Sequence, residues 1–257
     1  MLIDAHCHLD RYRENLAYAL EQINQHRIFT ISNSMDLPSY KQNVKIAETS
    51  DLILPVFGIH PWNAPEYVNC LEDLNWAISE SPMIGEIGLD YYFVNEISRY
   101  DDQRKVFEHF LKAVNRQRKI VIVHTKGAES ETLQLLEKYN MERVVIHWYS
   151  GPWQVLEAMV EHGFYFTIGV EVLLSRHIQH IAEYLPAELI LTETDNPGGN
   201  ESLTGNVGTP TLVKDVIGKL AEIRGTSDQV IITTVQNNLI GLGDNDPWLA
   251  RLQGSTG

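Results

Sequence analysis

Five strand-like runs of this chain carry, or end in, side chains that bind divalent metals. They are Asp4-Ala5-His6-Cys7-His8, Gly85-Glu86-Ile87-Gly88-Leu89-Asp90, Ile120-Val121-Ile122-Val123-His124, Val144-Val145-Ile146-His147 and Leu191-Thr192-Glu193-Thr194-Asp195. Imidazole nitrogens and carboxylate oxygens suit Zn, Mn or Fe, and to a lesser degree Mg. His6 and His8 fall on one face of an extended segment, ~7 Å apart along it, so that both rings can turn toward one ion. A lone His-x-His is as readily a product of core packing; four further ligand-bearing runs change that balance. Glu86 interrupts an apolar run, where a carboxylate is costly unless paired or metal-bound. A salt bridge is the plainer reading of it, but its two oxygens could each take one ion, which makes it the candidate bridging ligand. His124 and His147 each follow β-branched residues. Either alone would be an ordinary hydrogen-bonded core histidine, whereas together they make a second set. Asp195, after Leu189-Ile190-Leu191, closes the group of candidate ligands: His6, His8, Glu86, His124, His147 and Asp195.

Strand-like runs cover residues 2–8, 27–34, 52–59, 83–90, 119–124, 143–148, 164–169 and 188–195. They are continuously apolar or β-branched, as parallel strands buried on both faces must be. Amphipathic helices lie between them. One buries Val106, Phe107, Phe110, Leu111 and Val114; another buries Val155, Leu156, Met159 and Val160 and stops at Gly163. A third is expected to open at Thr209-Pro210 and to bury Val213, Val216, Ile217 and Leu220. Eight β-α units in one chain of this length predict a single (β/α)8 TIM barrel, an α/β fold, over residues 1–253. Residues 254–257 then form a flexible tail or an expression scar. A doubly wound open sheet is the rival, but it would not gather the first, fourth, fifth, sixth and eighth strands at one point. In a barrel the carboxyl ends of the strands carry the active site, which is where these ligands fall. Asn196 to Gly208 is the longest stretch without a strand or helix pattern and is expected to be functional or mobile.

The chain has 257 residues, and 44 % of them are hydrophobic, enough for a sizeable core. No apolar run approaches the ~20 residues of a membrane span. Met1-Leu2-Ile3-Asp4 has no basic leader, which predicts no signal peptide, and two cysteines, Cys7 and Cys70, are too few for a disulfide framework. The expected compartment is the cytoplasm. A formal charge of −14 argues against a broad duplex-binding face. It leaves room for an enzyme that holds a few phosphates through metal ions, and for a small ester substrate, which an acidic surface with few exposed aromatics would suit.

The ligand runs, together with Gly58-Ile59-His60-Pro61, His124-Thr125-Lys126, His147-Trp148-Tyr149-Ser150-Gly151, Glu193-Thr194-Asp195-Asn196-Pro197 and Asn237, follow one another in a specific order. In that order the chain resembles the TatD family of metal-dependent deoxyribonucleases among the amidohydrolase-like barrels. The resemblance implies a TIM barrel with two divalent ions, one held by His6, His8, Glu86 and Asp195 and the other by Glu86, His124 and His147. It implies DNA, single-stranded or at ends, as substrate, with 3′–5′ exonuclease-type cleavage of phosphodiester bonds. His60 would face a phosphate or sugar. Asp195 is the candidate general base, Glu86 the second catalytic residue, and His60 and Lys126 the substrate-binding pair. The ions could be Zn, Mn or Mg.

Three departures bear on the substrate. Lys126 stands where the family usually has Arg, a point charge in place of a bidentate fork. Trp148-Tyr149 replaces Cys-Phe, and the loop after Asp195 lacks the family's basic residue. Two alternatives therefore stand beside DNA cleavage: the same metals hydrolysing an ester or amide, such as an aminoacyl ester on tRNA, and a barrel subunit with protein partners in a multi-protein anti-phage defence assembly. Elsewhere, His26, His109, His162, His177 and His180 are expected to face solvent and Cys7 to pack inward. Trp62 and Tyr91 are either packing residues or a surface for stacking a base.

Overall fold

Each of the eight runs expected as strands forms one in the computed structural model, which describes residues 1–253; the tail expected at 254–257 lies outside the described residues. The strands are β1 (Leu2–Cys7), β2 (Ile28–Asn33), β3 (Ile53–Val56), β4 (Ile84–Asp90), β5 (Val121–Lys126), β6 (Val144–Ile146), β7 (Tyr165–Ile168) and β8 (Ile190–Thr192). Several stop short of the expected carboxyl end, so His147 and Asp195 stand just past β6 and β8 rather than on them, while His60 follows β3, as expected. The helices are α1 (Leu16–His26), α2 (Leu37–Ala47), α3 (Ala64–Tyr67), α4 (Asn75–Glu80), α5 (Tyr100–Gln117), α6 (Glu129–Lys138), α7 (Trp153–Glu161), α8 (Arg176–Tyr184), α9 (Gly198–Thr204), α10 (Leu212–Arg224), α11 (Asp228–Gly243) and α12 (Leu249–Gln253).

The apolar stripe of α5 is buried as its spacing requires, from Val106 to Val114. In α7, Leu156 and Met159 are buried while Val155 and Val160 are half-buried. The α10 stripe of Val213, Val216, Ile217 and Leu220 is buried too, but the helix begins at Leu212 and not at Pro210. Thr209 is held in a turn instead: its carbonyl accepts from Leu212 N–H and from the Asn196 amide at 2.8 Å. The stretch expected to be irregular after β8 contains α9, capped at its end by Gly205 at φ 78°.

The chain divides into two compact units. The first comprises Met1–Ser32, Gln42–Pro55 and the chain from Phe166 on; the second comprises Asn33–Lys41 and Val56–Tyr165. In the first, β1 pairs in parallel with β2, placing Leu2 opposite Ile28, and β7 pairs with β8, placing Phe166 opposite Ile190. The β8 strand also bonds to β1. Thr192 Oγ1 donates to Ile3 O at 2.6 Å, Asp195 N–H to His6 O at 2.9 Å, and His8 N–H to Asn196 O at 2.9 Å. Strand alternation sends Cys7 the other way from His6 and His8, into a core with Leu9, Tyr12, Ala19, Ile23 and Ile53.

In the second unit β4, β5 and β6 pair in order, with Gly88 opposite His124 and Val123 opposite Ile146. Gly88 sits at φ +147°, and a Cβ there would lie 2.0 Å from His124 O. Only glycine lets β4 approach the His124 backbone this closely. The Glu86 backbone is fixed from the other side, its N–H donating to Ser34 O at 3.2 Å.

Candidate metal centre

In the first unit the alternation of β1 puts Asp4, His6 and His8 on one side, all of them buried. Asp4 accepts from Thr194 N–H at 2.9 Å and Thr194 Oγ1 at 2.7 Å, which fixes the chain one residue before Asp195. Burial pushes the Asp4 carboxyl up to about 8, with the nearby Glu193 charge adding to it and the Thr194 bonds working against it. Asp195 is at φ 51°, a left-handed conformation that a short polar side chain tolerates. Its Oδ1 lies 3.2 Å from His8 Nε2 and 3.6 Å from His6 Nε2, and the two Nε2 atoms are 3.3 Å apart. A tetrahedral ion with bonds of about 2.0–2.1 Å holds its ligand atoms roughly 3.3 Å from one another. With their lone pairs turned inward, three such atoms at that spacing repel unless a ring proton or a cation lies among them. The set fits a divalent metal.

In the second unit the buried Glu86 is the hub. Its Oε1 lies 2.8 Å from His124 Nδ1, 3.5 Å from His60 Nε2 and 3.5 Å from His147 Nε2. The other nitrogen of His124 faces Asp90 Oδ2 at 3.1 Å. Sequence reasoning gave Asp90 no role, although its signal was present: residues i and i+4 of a strand share a face, and Asp90 stands four after Glu86. Asp90 also accepts from Trp62 Nε1 at 2.7 Å and from the N–H groups of Tyr92 and Phe93 at 3.0 and 2.8 Å. Burial raises the Asp90 carboxyl, but the hydrogen bond and charge of His124, with these donors, outweigh it and bring it down to about 2. Burial likewise lowers His124, and Asp90 and Glu86 overcome it and raise the imidazole to about 9. A histidine gripped by carboxylates on both nitrogens suits an ion on one side and an orienting carboxylate on the other.

His60 and Lys126 are placed differently from each other. His60 Nδ1 accepts from Trp62 N–H at 3.2 Å, which leaves the proton of the neutral ring on Nε2, the nitrogen facing Glu86. Such a nitrogen donates, as a phosphate contact requires. Lys126 Nζ donates to Trp148 O and Ser150 Oγ, both at 2.8 Å, and lies 5.6 Å from the centre of the Trp148 ring. It braces the loop between β6 and α7. Tyr91 packs rather than faces outward, stacked on Tyr100 at 3.8 Å and bonded to Glu131. The expectation of few exposed aromatics does not hold: Trp62, Tyr92 and Phe93 all present large exposed faces. Of the remaining histidines expected to face solvent, His162, His177 and His180 are exposed, whereas His26 and His109 are half-buried.

The family model of TatD-related DNases matches residues 3–242. The chain belongs to that family. It is 27 % identical over 254 residues to YcfH, an uncharacterized metal-dependent hydrolase of Escherichia coli K12, covering 94 % of this chain and 95 % of that protein. It is also 27 % identical to the human deoxyribonuclease TATDN3, over 93 % of each chain. Among solved structures, the TatD homologue YjjV of E. coli K12 superposes with a TM-score of 0.85 at 23 % identity, over 94 % of this chain and 97 % of that one. A TatD-family hydrolase of Entamoeba histolytica gives 0.82 at 17 %, over 94 % and 97 %. The fold is therefore of the α/β (β/α)8 TIM-barrel class, and this TatD-family chain is a metal-dependent hydrolase acting on ester bonds. Among the described residues, no helix is long and apolar enough to cross a membrane.

Proposed function

We propose that this TatD-family enzyme hydrolyses phosphodiester bonds of DNA, working from 3′ ends, with divalent ions at two sites. One would rest on His6, His8 and Asp195, the other on Glu86, His124 and His147. The role of Glu86 as a ligand shared by both ions is carried over from the family resemblance. What carries the reading is the spacing of the donor atoms around Asp195 Oδ1, 3.2–3.6 Å, in a chain whose family is one of DNases. Bound divalent ions neutralise phosphate charge and acidify water, which is how an acidic chain can handle DNA.

The side chains divide the remaining work. Asp195 is the general base, because its side chain is 22 % exposed and reaches water, whereas Glu86 is 3 % exposed. The His60 Nε2–H donates to a phosphate oxygen, and Asp90 keeps the His124 ring in place through Nε2. Lys126 adds positive charge on the same rim while holding the loop that carries Trp148. The test strips the protein of metal, reloads it with Mg, Mn or Zn, and offers end-labelled single-stranded DNA, duplex DNA and aminoacyl-tRNA. Metal-dependent shortening of the single strand from its 3′ end is the expected result. A reloaded protein inert on DNA but active on the aminoacyl ester would overturn the reading in favour of the small-ester alternative.

A further inference from the structure

Three large rings stand in solvent beside the second ligand set. Trp62 is 41 % exposed, Phe93 59 % and Tyr92 68 %, a concentration that a surface rarely carries without a partner. They are ordered rather than scattered. The Trp62 and Phe93 ring centres are 6.0 Å apart at 76°, and those of Phe93 and Tyr92 are 4.8 Å apart at 89°. One carboxylate fixes all three: Asp90 takes the Trp62 indole N–H on Oδ2 and the backbone N–H groups of Tyr92 and Phe93 on Oδ1. That same Oδ2 faces His124 Nε2 at 3.1 Å, and the Trp62 ring lies edge-on to His60, 4.6 Å between centres.

We propose that Trp62, Phe93 and Tyr92 form a stacking platform for one nucleobase of the substrate. The proposal rests on the phosphodiesterase reading and adds to it a base-binding subsite beside the phosphate site. Neighbouring rings set nearly perpendicular make a corner, which receives a flat ring face-on against one wall and edge-on against the next. A base paired inside a duplex has both faces covered and cannot enter; an unpaired one can, whatever its identity. Asp90 gives the platform its register, since it positions the rings and the His124 ligand together. A base on the rings is thereby held at a fixed offset from the phosphate side of the site.

The test compares a short oligothymidylate with an abasic phosphodiester oligomer of the same length, using the metal-loaded enzyme. In Phe93→Ala and Tyr92→Ala, kcat/KM for the thymidylate relative to the abasic oligomer should fall roughly tenfold, as expected for loss of one base–aromatic stack. An unchanged ratio overturns the platform, as does an equal loss on both substrates, which would mean damage to the metal site. A second measurement does not need turnover. Thymidine 5′-monophosphate should quench the fluorescence of the metal-loaded protein, less so in Phe93→Ala, and this component should vanish in Trp62→Phe. If the wild type cleaves no phosphodiester yet shows this quench, the platform stands and the phosphodiesterase reading falls. Absence of any Trp62-dependent quench sinks the platform whatever the enzyme cleaves.

Discussion

Replacing Asp90 by asparagine should change how many protons leave when a metal ion binds. In the metal-free protein His124 is raised to about 9 by the two carboxylates at its ring nitrogens. At pH 7.5 it then carries its second proton in roughly 97 % of molecules, and an incoming ion must displace that proton. The rise from the ordinary 6.5 to about 9 amounts to on the order of 3 kcal/mol favouring the protonated ring. The Asp90→Asn side chain keeps the shape but presents an amide where Oδ2 faced Nε2, and an amide N–H there favours the neutral ring. Glu86 still faces Nδ1 in the variant, so the value should fall part of the way toward 6.5, where about 10 % of rings would be charged at pH 7.5, and the variant should release fewer protons per chain on loading, by at most about 0.9. Calorimetric titration with Zn in two buffers of different ionisation heat counts these protons directly. Activity gives a second reading, since losing an orienting carboxylate costs about 10–100-fold in metal affinity or rate. Equal proton release from wild type and variant would refute the assignment of His124 as an ion-displaced, Asp90-held histidine.

The same shifts set the pH response of the metal-free fold. For Asp4, raised to about 8 in the folded state, stability is fully present below its unfolded value near 4 and is lost as pH rises through 8. Thermal stability of the metal-free protein should therefore fall between about pH 4 and 8, and Asp4→Asn should flatten part of that decline; an undiminished loss across this range in the variant would exclude Asp4 as its source. Glu86→Ala should abolish hydrolysis with the fold retained. Loss of both ions by elemental analysis supports a shared ligand, and retention of one confines Glu86 to the His124 and His147 set. Lys126→Ala should weaken DNA binding at unchanged metal content, within a shallow salt dependence of about one to three released counterions in the wild type; a steep dependence would contradict a grip on few phosphates.

The strands and the side chains gathered in the candidate site were legible because both follow from local pattern. A continuous β-branched run such as Ile120–Val123 has no stable place except inside a sheet, and a charged residue at the end of such a run needs a partner. What escaped depends on contacts remote in sequence. The start of α10 is moved by the amide of Asn196, thirteen residues before Thr209. The importance of Asp90 lies in its meeting Trp62 and His124, 28 and 34 residues away. The spacing of Lys126 beside His124 indicated the rim but not the two oxygen acceptors across the next loop that engage its ammonium group. Exposure of Phe93 and Tyr92 was equally invisible, because their side chains leave the surface only after their N–H groups are committed to Asp90.

The two ligand sets differ in electrostatics, and that difference has a measurable consequence. Around His6 and His8 the proposed ligand carboxylate is Asp195, partly open to water, while Asp4 behind them is driven toward its neutral form by burial. Around His124 two closed carboxylates converge, Glu86 and the strongly acidic Asp90. An ion at the second set thus meets more negative charge in a drier surrounding, where attraction is less screened. An ion at the first set has a ligand that water can reach and replace. Removal of metal by a chelator should accordingly proceed in two phases, the faster lost in Asp195→Asn and the slower accelerated in Asp90→Asn. Single-phase release with one rate for both ions would show that the sets do not hold metal independently, and would shift the weight of binding to a ligand common to both.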